Sequence, residues 1–325
     1  MSDYAPDFTI LETLPRKLPG LKNVSVCGAA PDLSISTFVC TLHDLETLVV
    51  PCLDLKAFNH LCRLPRLRYL WVMSTAPPRV PPRPRDLPCF PALRIFECES
   101  IEAAPNLLGQ TGRSLVEFSL FARRWRTYPT KQLFRELYAA LASNCTHTLL
   151  EKISMGSDDL RTLFCFRNLV HVWLNHTVAV DMDDAVALDM ARAWPCIELL
   201  AFPCDAAHRI TPRMTFDGVY AFAEHCPLLR YLCLLFDATD VPKLQLAPEG
   251  NKHRRVSQNT LRYFVVEYSP IGGQRKEWQR VANFLRSIFP ALYHIEATKP
   301  DSSADSDAQA SAAYRAWMKV SDKFP

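Results

Sequence analysis

Several residue groupings have the types and spacing to do chemistry. Asp181-Met182-Asp183-Asp184 carries the D-x-D-D spacing that some cyclases use as a proton donor. No all-helical cyclase pattern surrounds it, and acids at a helix start complement the helix dipole. His171 and His176 are five residues apart, which on a strand puts them on opposite faces with no third ligand nearby in sequence, so no metal site is expected. Arg123-Arg124-Trp125-Arg126 mixes cations and an indole as single-strand nucleic-acid contacts do. It stands alone in a chain of net charge +3, which fits a solvated loop and not a nucleic-acid binder. Pro78-Arg79-Val80-Pro81-Pro82-Arg83 has the P-x-x-P-x-R form of a polyproline ligand. It lies between two repeats and reads as a connecting loop. G-x-S-x-G, H-E-x-x-H and Walker sequences are missing. The chain therefore proposes no catalytic residue, cofactor or metal, and is not read as an enzyme.

The elements that would position any site follow from composition and then from periodicity. The 325 residues are 49% hydrophobic and 22% charged, ordinary for a chain with a sizeable core. Nine glycines against 25 prolines disfavour a glycine-rich phosphate-cradling fold. No window approaches 18 consecutive apolar residues, so no membrane span is expected. The twelve cysteines form no C-x-x-C pair and sit mostly among apolar neighbours, as in Leu232-Cys233-Leu234. A reducing, cytoplasmic or nuclear setting is the expectation.

One frame, L-x-x-L-x-L, recurs along the chain. Leu67-Arg68-Tyr69-Leu70-Trp71-Val72 and Leu229-Arg230-Tyr231-Leu232-Cys233-Leu234 share it, and Leu261-Arg262-Tyr263-Phe264-Val265-Val266 repeats even the Arg-Tyr pair. It can also be read from Leu21, Leu45, Leu93, Leu115, Leu150, Leu169, Ile197 and Leu292. The eleven units lie roughly 20 to 35 residues apart, overlapping the leucine-rich-repeat period and running longer. Proline stands two residues before the first frame position at Pro19, Pro65, Pro91, Pro195, Pro227 and Pro290, where it ends a helix and delivers an extended segment. Helical spacing appears in the 130–143 stretch (Leu133, Leu137, Leu141) and the 276–289 stretch (Val281, Phe284, Leu285, Ile288). Thr130, Asp184 and Thr215 are candidate helix caps.

One strand and one helix per unit cannot bury an apolar face alone, so neighbouring units must stack. The expected fold is an α/β leucine-rich-repeat solenoid, a horseshoe of irregular repeats with a parallel concave sheet and convex helices. The alternative is a doubly wound sheet, whose strands also alternate with helices. Residues 1–298 are assigned to the solenoid. Residues 299–325 are read as a disordered linker and a short terminal helix, which either caps the last repeat or serves a partner as a peptide.

Alternation puts the third, fifth and seventh frame residues on the face away from the buried leucines. The candidate protein-binding residues are Tyr69, Trp71, Met73, Phe121, His171, Trp173, Tyr231 and Tyr263, with Trp71 and Trp173 as anchors. Glu97, Glu99, Asn175, Leu235, Glu267, His294 and Glu296 share that face. Aromatic-rich, partly polar composition suits a protein ligand. The competing expectation is that neighbouring segments cover these side chains. At the ninth repeat position stand Asp158, Thr177, Asp205, Asp237 and Ser269, which either bond the turn backbone or are plain loop polars.

The stretches "CPLLRYLCL" from Cys226, "FPALRIFEC" from Phe90, "LPRLRYLWV" from Leu64 and "FPALYHIEA" from Phe289 resemble the repeat region of divergent, fungal-type F-box proteins. The resemblance covers about residues 15 to 300. It implies the substrate-recognition arm of an F-box-like ubiquitin-ligase adaptor. No F-box is recognisable, however: Leu14-Pro15-Arg16-Lys17-Leu18 begins like one but lacks its acid and helices. Membership of an SCF complex is thus expected only if an F-box is supplied. A stand-alone repeat scaffold or inhibitor is the other reading.

Overall fold

The computed structural model describes residues 13–14, 17–18, 20–26, 32–73, 89–102, 104–108, 114–120, 131–146, 148–155, 160–174, 182–204, 211–242, 256–299 and 308–325. Thr130, the 123–126 cluster, the 78–83 motif, Phe121, Asn175, Asp158, Thr177 and Asp205 lie outside them. The chain forms two compact units, Met1–Leu163 and Phe164–Pro325.

The first unit holds six parallel strands in chain order: β1 (Asn23–Ser25), β2 (Thr47–Val50), β3 (Tyr69–Val72), β4 (Ile95–Cys98), β5 (Glu117–Leu120) and β6 (Lys152–Met155). Between them run α1 (Asp32–Val39), α2 (Leu55–Leu61), α3 (Ala104–Leu108) and α4 (Lys131–Asn144). The second unit holds β7 (His171–Leu174), β8 (Leu199–Ala201), β9 (Tyr231–Cys233), β10 (Tyr263–Val265) and β11 (His294–Glu296), again parallel and in chain order. Its helices are α5 (Asp184–Ala193), α6 (Phe216–His225), α7 (Arg275–Ile288) and α8 (Ala308–Ser321). Every one of the eleven frames carries a strand.

The register aligns the frame position for position. Leu48, Leu70, Phe96, Phe118 and Ile153 are consecutive partners in the first unit, as are Val172, Leu200, Leu232, Phe264 and Ile295 in the second. All ten are buried. A shift of one residue would turn these side chains to the other face, so burial holds the register. The backbone repeats just as regularly. Within each unit the second-position carbonyl of one repeat accepts two N–H groups from the next, as Glu198 O does from Arg230 and Tyr231 (2.8 and 3.1 Å) and Arg230 O from Arg262 and Tyr263 (2.9 and 3.1 Å).

The prolines act through a specific turn. Trp194, Cys226 and Phe289 follow the last turns of α5, α6 and α7 with nearly the same dihedrals (φ −121, −116, −128; ψ 64, 73, 70). Each precedes a proline, which bars the helical conformation there. The N–H of the first frame residue then closes back on that residue's carbonyl: Ile197 on Trp194 (3.2 Å), Leu229 on Cys226 (3.2 Å) and Leu292 on Phe289 (3.1 Å). Proline is thereby the second residue of a four-residue turn, a position its fixed φ favours.

Polar groups tie repeats together. Thr215 caps α6 as expected, its Oγ1 accepting from Asp217 N at 3.2 Å. Asp184 does not cap α5: Asp183 does, accepting from Val186 N at 2.9 Å. Asp184, one residue on, faces the next repeat. Its carboxylate accepts from Thr215 N (2.7 Å), Gly218 N (2.9 Å) and Thr215 Oγ1 (2.9 Å), so it caps α6 from the neighbouring helix. Ser269 behaves as a ladder residue, its buried Oγ accepting from Phe236 N one repeat back at 3.0 Å. Asp237 instead bonds locally to Thr239.

Helix α8 packs on the last repeat. Trp317 is buried, donates from Nε1 to Ser269 O at 2.8 Å and meets Phe236 edge-on at 6.0 Å. Ser321 Oγ donates to Ile295 O of β11 at 2.9 Å. Among the described residues no helix is long and apolar enough to cross a membrane.

Candidate protein-interaction faces

Each unit presents its own sheet face, built from the odd frame positions. Alternation on β2, β3 and β4 leaves residues 47, 49, 69, 71, 95 and 97 partly exposed while 48, 50, 70, 72, 96 and 98 are buried.

In the first unit, Tyr69 and Trp71 of β3 and Met73 just beyond it are all half-buried. Tyr69 donates its hydroxyl to Glu97 Oε2 at 2.8 Å, and Trp71 and Glu97 are register partners. Burial, the bond to Glu97 and the neighbouring carboxylates push the Tyr69 phenol well above its ordinary range. Burial also raises the Glu97 carboxyl, helped by repulsion from Glu117 and opposed by the Tyr69 bond. Lys152 neutralises Glu117 in part, at 3.4 Å. The anchor expected at Trp71 is thus packed along one side, within a polar and partly acidic surround.

The second unit has the more open face. Trp173 is 40% exposed, Tyr263 41% and Tyr293 39%. Trp173 leans across β8 to stack on Tyr231 (centroids 6.3 Å, planes 22° apart), over a fully buried Ala201. Tyr231 continues to Tyr263 at 6.4 Å, and Tyr263 to Tyr293 at 5.0 Å and His294 at 5.7 Å. His171, half-buried, is the register partner of Leu199, itself paired with Tyr231. The frame thereby brings His171, Trp173, Tyr231 and Tyr263 into one row. Tyr293, at the second frame position, extends this row although strict alternation excluded it. The local signal for it was the tyrosine beside His294, at a frame position that is Arg, Glu, Lys or Val in the other units.

Two residues expected on these faces are interior. Glu99 is buried, and Glu267 is 5% exposed. The cause at Glu267 is a left-handed backbone, φ +48. That turn carries the carboxylate inward, where Oε1 accepts from Cys233 Sγ at 3.0 Å and Oε2 from Thr298 Oγ1 at 2.8 Å. The Cys233 thiol is raised far above its usual range by burial and by Glu267. A thiol so held is protonated and unreactive.

Nothing else among the described residues gathers chemistry. No group of three His, Cys, Asp or Glu there could hold a metal ion. Asp183 and Asp184 serve as caps. A groove of about 580 Å³ on the helix side of the first unit is lined by Cys40, Leu55, Lys56, Asn59, His60 and Arg63. Its Cys40 thiol is raised by burial first and by Asp54 second, again the inert direction.

The fold is that of an α/β leucine-rich-repeat solenoid. A leucine-rich-repeat protein of Leptospira interrogans is similar to it, with a TM-score of 0.50 and 16% identity over 87% of this chain. The chain spans 62% of the length of that protein. An internalin from Listeria monocytogenes aligns over 82% of this chain and 72% of its own, with 11% identity and a TM-score of 0.39. No family profile and no curated protein matches the sequence.

Proposed function

We propose that the chain is a protein-binding repeat module, and that its contacts are made through the aromatic sheet faces, Tyr69, Trp71 and Met73 in one unit and His171, Trp173, Tyr231 and Tyr263 in the other. The observation that carries this reading is the Trp173–Tyr231–Tyr263–Tyr293 row, three of whose members are about two-fifths open to solvent. Large aromatic side chains with a polar edge are the side chains that anchor protein interfaces. The finer reading, the substrate-recognition arm of an F-box-like ubiquitin-ligase adaptor, is supported by the resemblance of the repeat stretches.

A photo-crosslinking amino acid placed at Tyr263 tests the first reading, with the exposed Lys276 on α7 as control. Specific adducts to one protein at position 263, absent at position 276, support it; equal adducts at both sites overturn it. Co-purification with the SCF core subunits then separates an adaptor arm from a stand-alone scaffold or inhibitor.

A further inference from the structure

The second frame position lies where each strand begins, and in the first unit it reads Lys22, Glu46, Arg68, Arg94, Val116 and Glu151. Neighbours in this row stand on hydrogen-bonded chain segments: Arg68 N donates to Glu46 O and Arg94 N to Arg68 O, both at 2.8 Å. Arg68 and Arg94 are therefore rooted about 4.8 Å apart, one strand spacing. Both side chains are exposed.

Elsewhere along the sheets, neighbouring charges are compensated. Lys22 pairs with Glu46 at 3.1 Å, Lys152 with Glu117 at 3.4 Å and Arg230 with Glu198 at 3.7 Å. Arg262, beside Arg230, donates to Ala291 O at 3.1 Å. Arg68 and Arg94 differ: among the described residues neither guanidinium has an ion pair or a side-chain hydrogen bond. The carboxylates of this edge already have cations. Asp44 takes Arg66 at 3.4 Å, and the Glu46 carboxyl is held below its ordinary range by Lys22 first, with Arg68 and Arg66 adding to it. Lys22, Arg66, Arg68 and Arg94 thus outnumber Asp44 and Glu46. Like charges held side by side on adjacent strands are destabilising, and an anion between them removes that cost.

We propose, resting on the protein-binding reading above, that the strand-start edge of the first unit captures an anionic side chain of a partner protein, carboxylate or phosphate, between the Arg68 and Arg94 guanidiniums. A guanidinium fork matches either group with two parallel hydrogen bonds, and two forks rooted one strand spacing apart can close on one anion. Half-buried Tyr69 and Ile95, one residue further along β3 and β4, give apolar contact to the flanking residues of the partner and join the edge to the Tyr69–Trp71–Met73 face. A nucleic acid needs a longer cationic track for its successive phosphates. Here the row turns neutral at Val116 and acidic at Glu151, within two strands of Arg94.

The experiment is selection of phage-displayed random heptapeptides on the full chain, followed by affinity measurements with the winning synthetic peptides. The expected winners contain Asp or Glu, bind Arg94→Ala and Arg68→Ala at least tenfold more weakly and Arg94→Lys at an intermediate level, and ignore Arg275→Ala, which removes an exposed arginine of α7. Replacing the winner's acid by phosphoserine names the source within the proposal: tighter binding assigns the anion to phosphate, weaker binding to carboxylate. Winners that lack an acid, or that weaken on Trp71→Ala but ignore both arginine variants of the edge, overturn the edge and leave the protein-binding reading standing. Acidic winners weakened equally by Arg275→Ala report general charge attraction and overturn it too. A failure to enrich any peptide, or winners indifferent to Arg94→Ala, Trp71→Ala and Trp173→Ala alike, overturns both readings. Saturable binding of a 20-residue oligothymidine lost on Arg94→Ala would assign the edge to nucleic acid and refute the proposal.

Discussion

Replacing Asp184 by alanine removes one carboxylate that accepts from three donors at the start of α6. Two of those donors are backbone N–H groups of a helix N-terminus, which have no partner within their own helix. Bonds to a charged acceptor contribute about 1.5 kcal/mol each at the low end, here reduced for partial exposure to about 1. Loss of a negative charge at the positive end of the helix dipole adds about 0.5 kcal/mol. With Gly218 N–H left buried and unsatisfied, Asp184→Ala should cost about 3 kcal/mol. Asp184→Asn keeps an oxygen for both N–H groups and should cost about 1 kcal/mol, from the lost charge and the weaker bonds to a neutral acceptor. Asp183→Ala removes an ordinary cap, the acceptor for Val186 N, and should also cost about 1 kcal/mol. Urea denaturation followed by tryptophan fluorescence measures all three. With a slope of about 2 kcal/mol/M, the alanine variant at 184 shifts the midpoint by about 1.5 M. If Asp183→Ala proves as damaging as Asp184→Ala, the cross-repeat cap is not what holds these two helices, and the reasoning fails.

Three further outcomes are expected. Gly218→Ala places a Cβ 2.5 Å from Met214 Cγ and 2.8 Å from Asp184 Oδ1; overpacking of about 1–3 kcal/mol should outweigh alanine's better helix propensity, giving a lower melting temperature. Ser269→Ala strands the buried Phe236 N–H and should cost about 1–3 kcal/mol, with faster hydrogen exchange at that amide. The folded-state value of Glu97 is raised, so its contribution is fully present below the unfolded value and is lost as pH rises through the folded one. Glu97→Gln should therefore gain stability relative to the parent as pH climbs from about 4 towards neutrality, the gap then levelling off; a gap independent of pH would contradict the assignment.

The strands were legible because one constraint repeats: buried side chains at the first, fourth and sixth positions, stacked in register. Leu48, Leu70, Phe96 and Phe118 align as the frame requires, and the same reasoning located Trp173, Tyr231 and Tyr263 on one face. What the frame could not supply were departures from ideal backbone. Glu267 occupies an outward position by count, but its positive φ turns it inward, and no sequence pattern announces a left-handed glutamate. Asp183 and Asp184 are indistinguishable as caps in sequence, since the choice depends on which one faces the next helix. Tyr293 reaches the aromatic row through the length of its side chain, which a strict alternation rule ignores.

Helix α8 has a consequence for how copies of this protein behave towards one another. A parallel sheet whose strands follow chain order has a last strand, and the free edge of such a strand can recruit a strand of another molecule. Here Ser321 occupies the Ile295 carbonyl, and Trp317 fills the apolar notch behind Ser269. Chain concentration should accordingly leave the molecule's size unchanged at this edge. Removal of residues 308–325 should turn it into a template for end-to-end association, seen in light scattering as growth that increases with concentration.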